Sequence, residues 1–296
     1  MPCPRKGNAS GRVVSPAWEG AIMSRRPRVW MLIQAWVFPL TRRILQGTQT
    51  TRVRKLTSRI SVPLLSGKNF HITYLPVNEW IEGADGTIVP EVVLEEIVRS
   101  SSHRVIIRRC TCRDGNQCSN HPIGLSCLLL GEGTREIDPA VGRHVGVEEA
   151  LRHIRRCIDS GLIPFVGRFR ADNLLWGVKD RGRLLTVCFC CPCCCIIMNA
   201  MRYMPRTSQE RVVRLKGLTI RIDAGQCNLC GECVRSCFMG ALLESDGQLI
   251  RDDSICKGCG LCITACPSGA VSAAVADLPA AVADLKGRIE ALLDYR

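Results

Sequence analysis

The sequence predicts an α+β chain: a cysteine-rich α+β body over 61–201, a compact cysteine module over 217–273 and a closing helix over 274–296. Three observations carry this. Short β-branched runs flank one strongly amphipathic segment between residues 70 and 187. Two runs, Cys227-Cys230-Cys233-Cys237 and Cys256-Cys259-Cys262-Cys266, repeat a single C-x2-C-x2-C-x3-C spacing. The 20 cysteines of this 296-residue chain cluster rather than scatter. A chain this long does not need disulfide staples, so clustered C-x-C and C-x2-C spacings point to metal sites in a reducing, anaerobic cytoplasm.

Residues 1–60 carry twelve Lys and Arg against one acid, Glu19, and 1–27 show no apolar periodicity, so this stretch is expected to be a basic, partly disordered tail. Within it, Val29–Leu40 is apolar, holds Trp30 and Trp36, and lies between arginine pairs. The run falls short of the ~20 residues that span a bilayer. Segment 24–45 is expected either to lie on an anionic membrane surface, placing the protein at the inner face, or to dock on the body as a short helix. The net charge of +13 raises polyanion binding as a class. No zinc-finger spacing and no aromatic RNA-binding motif accompanies it, so no specific nucleic-acid partner is expected.

In the body, Phe70–Leu75 reads as a strand, Pro90–Val98 as an amphipathic helix, and Arg104–Arg108 as a second strand running into Cys110. Val147, Ala150, Leu151, Ile154, Cys157 and Ile158 make one face of a helix over 147–160, with acids at its start, arginines near its end and Gly161 as a stop. Ile163–Val166, Leu174–Val178 and Leu184–Val187 read as three short strands, the last two joined by Lys179–Gly182. Residues 202–216 are basic and read as a linker. Asp277 and Pro279 open the last helix, with Leu278, Val282, Leu285, Ile289 and Leu292 at helical spacing.

The duplicated run carries the chemistry. Three cysteines on one tight loop can face one iron–sulfur cube, and the fourth starts a turn toward a second cube. The assignment is therefore crossed: Cys227, Cys230, Cys233 and Cys266 for one [4Fe–4S] cluster, Cys256, Cys259, Cys262 and Cys237 for the other. Two zinc sites are the alternative, but zinc knuckles separate their C-x2-C pairs by longer loops. The segments QCNLCGECVRSCFMGA and ICKGCGLCITACPSGA resemble the bacterial two-[4Fe–4S] ferredoxin family over about 217–273. One departure stands out: Pro267 follows the second run, whereas Phe238 follows the first. The resemblance implies a ferredoxin-like fold and low-potential one-electron transfer.

Two further groups each follow a predicted strand: Cys110, Cys112, Cys118 and Cys127, then Cys188, Cys190, Cys191, Cys193, Cys194 and Cys195. If those strands are neighbours, both groups emerge at one end of a sheet and share a site. The first group suffices for one cube or one zinc, with Arg108, Arg109 and Arg113 offsetting thiolate charge. His121 is a weaker alternative ligand. Six cysteines within eight residues cannot all bind one cube, so some would ligate and others pack. Together with the C-terminal module, these groups resemble ferredoxin-like proteins of anaerobic bacteria and archaea known by their iron–sulfur content. Cys3 and Cys157 belong to neither group, and Cys157 reads as core.

No G-x-G-x-x-G follows a strand and no Walker loop is present. The leading expectation is an electron-transfer protein that passes single electrons through two C-terminal clusters, and at least one more cluster, to a partner oxidoreductase. A reductase with a catalytic cluster in the body, or a zinc-stabilised scaffold, are the competing expectations.

Overall fold

The computed structural model describes residues 67–76 and 89–296. The expectations for the 1–60 tail, for segment 24–45 and for Cys3 lie outside the described residues. Among the described residues no helix is long and apolar enough to cross a membrane.

The chain is α+β. Its body contains β1 (Phe70–Tyr74), α1 (Val89–Ser100), β2 (Arg104–Ile107), α2 (Thr111–Gly115), β3 (Leu128–Leu130), β4 (Gly142–His144), α3 (Val147–Asp159), β5 (Ile163–Phe169), α4 (Arg170–Trp176), β6 (Leu185–Cys190), α5 (Ile196–Met201) and α6 (Arg206–Gln209). The six strands form one antiparallel sheet in the order β1-β5-β6-β3-β2-β4. Alternation sorts its side chains. Ile106, Leu128, Leu130, Leu185 and Val187 enter the main core, while Val105, Ile107, Leu129 and Leu184 form a smaller cluster with Ile137 and Val178. Helices α1 and α3 pack together, and α3 lies on β2 and β5.

One element departs from expectation. Leu174–Val178 is not a strand: 170–176 is helix α4, ended by Gly177 in the left-handed region at φ +74°. Leu174 is 59% exposed, while Trp176 packs on the smaller cluster and Val178 is buried in it, so the apolar run is divided between surface and core instead of entering a sheet. Lys179–Gly182 then closes no hairpin. Asp180 there receives Arg168 and Arg170, each at 2.8 Å. Strands β3 and β4 were not expected, being only three residues each.

Residues 202–216 join the two parts while docking along the body. Ile72 N–H donates to Arg211 O and Val213 N–H to Ile72 O, so this segment bridges to the outer edge of β1. Met204, Val212 and Leu215 are buried in the main core.

The C-terminal module contains β7 (Leu218–Ile222), α7 (Glu232–Ser236), β8 (Leu242–Ser245), β9 (Gln248–Arg251), α8 (Leu261–Thr264), β10 (Val271–Val275) and α9 (Leu278–Glu290). β7 and β10 pair antiparallel at its two ends, and β8–β9 form a hairpin between the cysteine runs. Asp277 caps α9 by accepting from Ala280 N–H at 2.8 Å. Helix α9 buries Ala281, Leu285 and Ile289 and lies against α1, where Lys286 meets Glu96 at 2.6 Å. Tyr295, fully buried, fastens the end of the chain: its carbonyl accepts from Ser102 N–H.

Candidate metal centres

The duplicated runs build two equivalent loops. Helices α7 and α8 both start from a glycine in the left-handed region, Gly231 at φ +73° and Gly260 at φ +82°. These are the positions after the second cysteine of each run, and this backbone conformation is the reason for glycine there. The turn it makes aims three sulfurs inward. One open cavity is lined by Cys227, Cys230, Cys233 and Cys266, with Glu244 at its wall. A second is lined by Cys256, Cys259, Cys262 and Cys237, with Phe238, Lys257 and Arg251. The sets are crossed between the runs, and each leaves one room with four thiols around it, a donor set suited to a cube.

The two rooms differ in environment. Cys230 is exposed, while Cys259 and Cys262 are half-buried, and burial pushes the Cys262 thiol up to about 12. Burial also raises the Cys259 thiol. Cluster binding there must therefore expel protons held tightly by desolvated sulfur. Cys237 Sγ accepts a hydrogen bond from Ala241 N–H at 3.2 Å, a backbone dipole aimed at a ligand sulfur. Lys257 is buried beside Cys256, and burial lowers its ammonium below the usual range.

The body brings its own ten cysteines together. β2 and β6 are not direct neighbours, because β3 lies between them. Each is antiparallel to β3, so they run parallel and their C-terminal ends open on the same edge. Cys110 follows β2, Cys127 precedes β3, and Cys188 and Cys190 end β6. Helix α2 begins from Cys110, and its following turn returns Cys118 to the same edge, with Cys118 N–H on Arg113 O at 2.9 Å. After β6 the chain turns at Pro192. Asn199 holds that turn by donating to Pro192 O at 3.0 Å and Cys195 O at 2.8 Å.

The sulfurs regroup across the sequence. Cys118 joins Cys191, Cys193 and Cys194, all four sulfurs lying within 4.8 Å of one another. The other six form a row: Cys127 to Cys188 at 3.3 Å, Cys188 to Cys190 at 3.7 Å, Cys190 to Cys195 at 3.0 Å, then Cys112 in contact with both Cys195 and Cys110. The expectation that Cys110, Cys112, Cys118 and Cys127 make one four-ligand set thus meets a different arrangement. Cys118 sits with the second group, and Cys127 and Cys112 each touch it through another partner. His121 is not part of the four-sulfur nest.

Of the three expected arginines, Arg113 lies among the sulfurs, near Cys110 and Cys188 of the row and Cys191 of the nest. It is 1% exposed, donates to Phe189 O at 3.0 Å, Pro122 O at 3.2 Å and Leu125 O, and contacts Cys191. Arg108 instead reaches Pro139 O, and Arg109 pairs with Asp114 at 2.6 Å. Cys157 is core, fully buried with its sulfur 3.6 Å from His153 Nε2.

One residue not singled out on sequence links the two regions. Tyr74 ends β1 and pairs with Phe165 of β5, which pairs in turn with Cys188 of β6. This register puts Tyr74, Phe165 and Cys188 in one row across three strands. The Tyr74 ring meets Phe165 edge-on at 5.6 Å and Phe238 at 5.5 Å. Burial first, then the nearby Cys195, Cys190, Cys259 and Cys188 sulfurs, push its phenol well above the usual value. It is fully buried, and its hydroxyl has no hydrogen-bond partner among the described residues. Phe238, the departure from the proline usual at that position, thus forms part of the contact between the second cavity and the body.

Residues 226–271 match the family of the 4Fe-4S dicluster domain. No curated protein matches the chain. Family match and paired cavities define the C-terminal module as a ferredoxin-like 4Fe-4S domain, which implies iron–sulfur electron transfer.

Proposed function

We propose that this protein is a one-electron relay in which two C-terminal [4Fe–4S] clusters exchange electrons with a further iron–sulfur cluster in the body and, beyond it, with a partner oxidoreductase. The crossed eight-cysteine set holds the two C-terminal cubes, which supply the one-electron chemistry. The protein's residues fix their spacing and surroundings. In the body, the six-sulfur row offers thiolates from β6, α2 and the start of β3 to the further cluster. The observation that carries this reading is Tyr74, fully buried between Cys259 of the second cavity and Cys188, Cys190 and Cys195 of the row. Its unpartnered hydroxyl is a donor placed where a cluster sulfur would accept. Two redox regions separated by aromatic rings in edge-on and tilted contact are an arrangement for transfer within the chain.

The test is coulometric reduction of full-length protein prepared anaerobically, against a variant with Cys188→Ser and Cys190→Ser. The wild-type chain should accept about three electrons and the variant about two, one for each C-terminal cube. Two electrons in both proteins would leave the body outside the relay.

A segment that touches an anionic surface remains part of the proposal for 24–45, in the form of salt-sensitive binding to anionic vesicles. A Trp-rich apolar run between arginines supports it. Equal flotation of full-length and 46–296 protein would remove it.

A further inference from the structure

We infer that Cys118, Cys191, Cys193 and Cys194 form a separate site for a single tetrahedral thiophilic ion, zinc or iron, with no inorganic sulfide. The inference builds on the reading of the body as a metal–thiolate region, but not on electron flow through it.

Size is the first argument. An ion with metal–sulfur bonds of about 2.3 Å sets its four ligand sulfurs about 3.8 Å apart along each tetrahedral edge. Cys118 and Cys193 stand 3.8 Å apart, and no pair in the nest exceeds 4.8 Å. A cube must fit four irons and four sulfides between its ligands, so it takes sulfurs that do not touch one another: the extended six-sulfur row can offer non-adjacent members, whereas the nest is four sulfurs all within 4.8 Å. The same chain supplies the comparison: each of its two C-terminal four-cysteine sets lines an open cavity, and neither draws its four sulfurs within 4.8 Å of one another. Among the described residues, the nest alone brings three or more potential ligands this close together.

Chain geometry is the second argument. Cys191, Cys193 and Cys194 lie in one tight turn, where Cys194 N–H and Cys195 N–H both donate to Cys191 O. Three ligands from one turn and a fourth from a distant loop give a closed, pre-shaped site. Pro192 and Asn199 hold the turn, so little ordering is left to the metal.

Charge is the third. Four thiolates around a divalent ion leave a net charge of about −2, costly in a buried setting unless a cation is near. Arg113 supplies one. It is 1% exposed, three of its N–H donors go to carbonyls, and it lies near Cys191 of the nest as well as Cys110 and Cys188 of the row. Its charge thus offsets thiolates of the nest and of the adjoining row together.

The test compares metal and sulfide content of full-length protein, purified anaerobically, with that of a Cys118→Ser, Cys193→Ser variant. The variant should lose about one equivalent of zinc or iron while sulfide and all remaining iron are unchanged. Loss of about four irons with four sulfides would overturn the inference in favour of a cube at these residues. No loss would overturn it too. A measurement on the unsubstituted protein guards against misfolding of the variant. Where the ion is zinc, X-ray absorption at the zinc edge should show about four sulfurs at ~2.3 Å and no metal neighbour. Where it is iron, the Mössbauer spectrum should hold a separate high-spin mononuclear component. A metal neighbour, or no component beyond those of the clusters, would refute the site while leaving the relay reading to be judged on its electron count.

Discussion

Replacing Tyr74 with phenylalanine should change the stability of the protein in opposite directions with and without its clusters. The substitution removes one oxygen and keeps the ring, so the contacts with Phe165 and Phe238 survive. The hydroxyl is fully buried and has no hydrogen-bond partner among the described residues. A buried donor left unsatisfied costs about 1–3 kcal/mol, and Y74F should recover much of that. Under the relay proposal the same hydroxyl would donate to a cluster sulfur in the loaded chain. Hydrogen bonds to charged acceptors contribute about 1.5–3 kcal/mol, so Y74F should destabilise the loaded protein by an amount in that range. Burial and the neighbouring sulfurs keep the phenol protonated, so it stays a donor throughout the working pH range. The assay is anaerobic urea unfolding of wild type and Y74F, each before and after removal of iron with a chelator. Opposite shifts are expected. Destabilisation of both forms, or stabilisation of both, would refute the placement of the hydroxyl against a cluster.

Phe238→Ala removes a half-buried ring from the contact between module and body, and should cost about 1–2 kcal/mol, below the ~3–5 kcal/mol of a fully buried phenylalanine. Thermal unfolding of the loaded protein measures it. Asp172, buried under a hydrogen bond from Thr186 at 2.7 Å, has its carboxyl raised by burial to about 7. Its folded value lies above the unfolded 3.8, so the protonated carboxyl favours the fold. That contribution is lost as pH rises through about 7, and Asp172→Asn should flatten the fall in unfolding midpoint between pH ~4 and ~7.

The grouping of the eight C-terminal cysteines around two cavities was legible because they are local: a three-cysteine loop folds on itself whatever surrounds it, and the repeat names its own partner. The long, periodic elements were legible for a similar reason, α3 above all. In the body, the meeting of two cysteine groups at one sheet edge was legible, but which sulfurs touch was not. Cys118 meets Cys193 across 75 positions of sequence, and only the order of the sheet, with β3 between β2 and β6, determines which sulfurs touch. Leu174-Leu175-Trp176 looked like a strand because a short apolar run does not by itself distinguish a strand from the half-buried helix it occupies. Tyr74 could not be picked out as a junction, since its role follows from cross-strand register with Phe165 and Cys188. The one signal available was Phe238 in place of proline, visible as a departure but with no partner to explain it until the Tyr74 ring was placed beside it.

The most direct measurement is iron, sulfide and zinc analysis of full-length protein purified without exposure to oxygen. The account predicts about twelve sulfides and about twelve cluster irons per chain, plus one further ion of zinc or iron. About eight irons and eight sulfides, with the ten body cysteines titrating as free thiols and no other metal present, would contradict it.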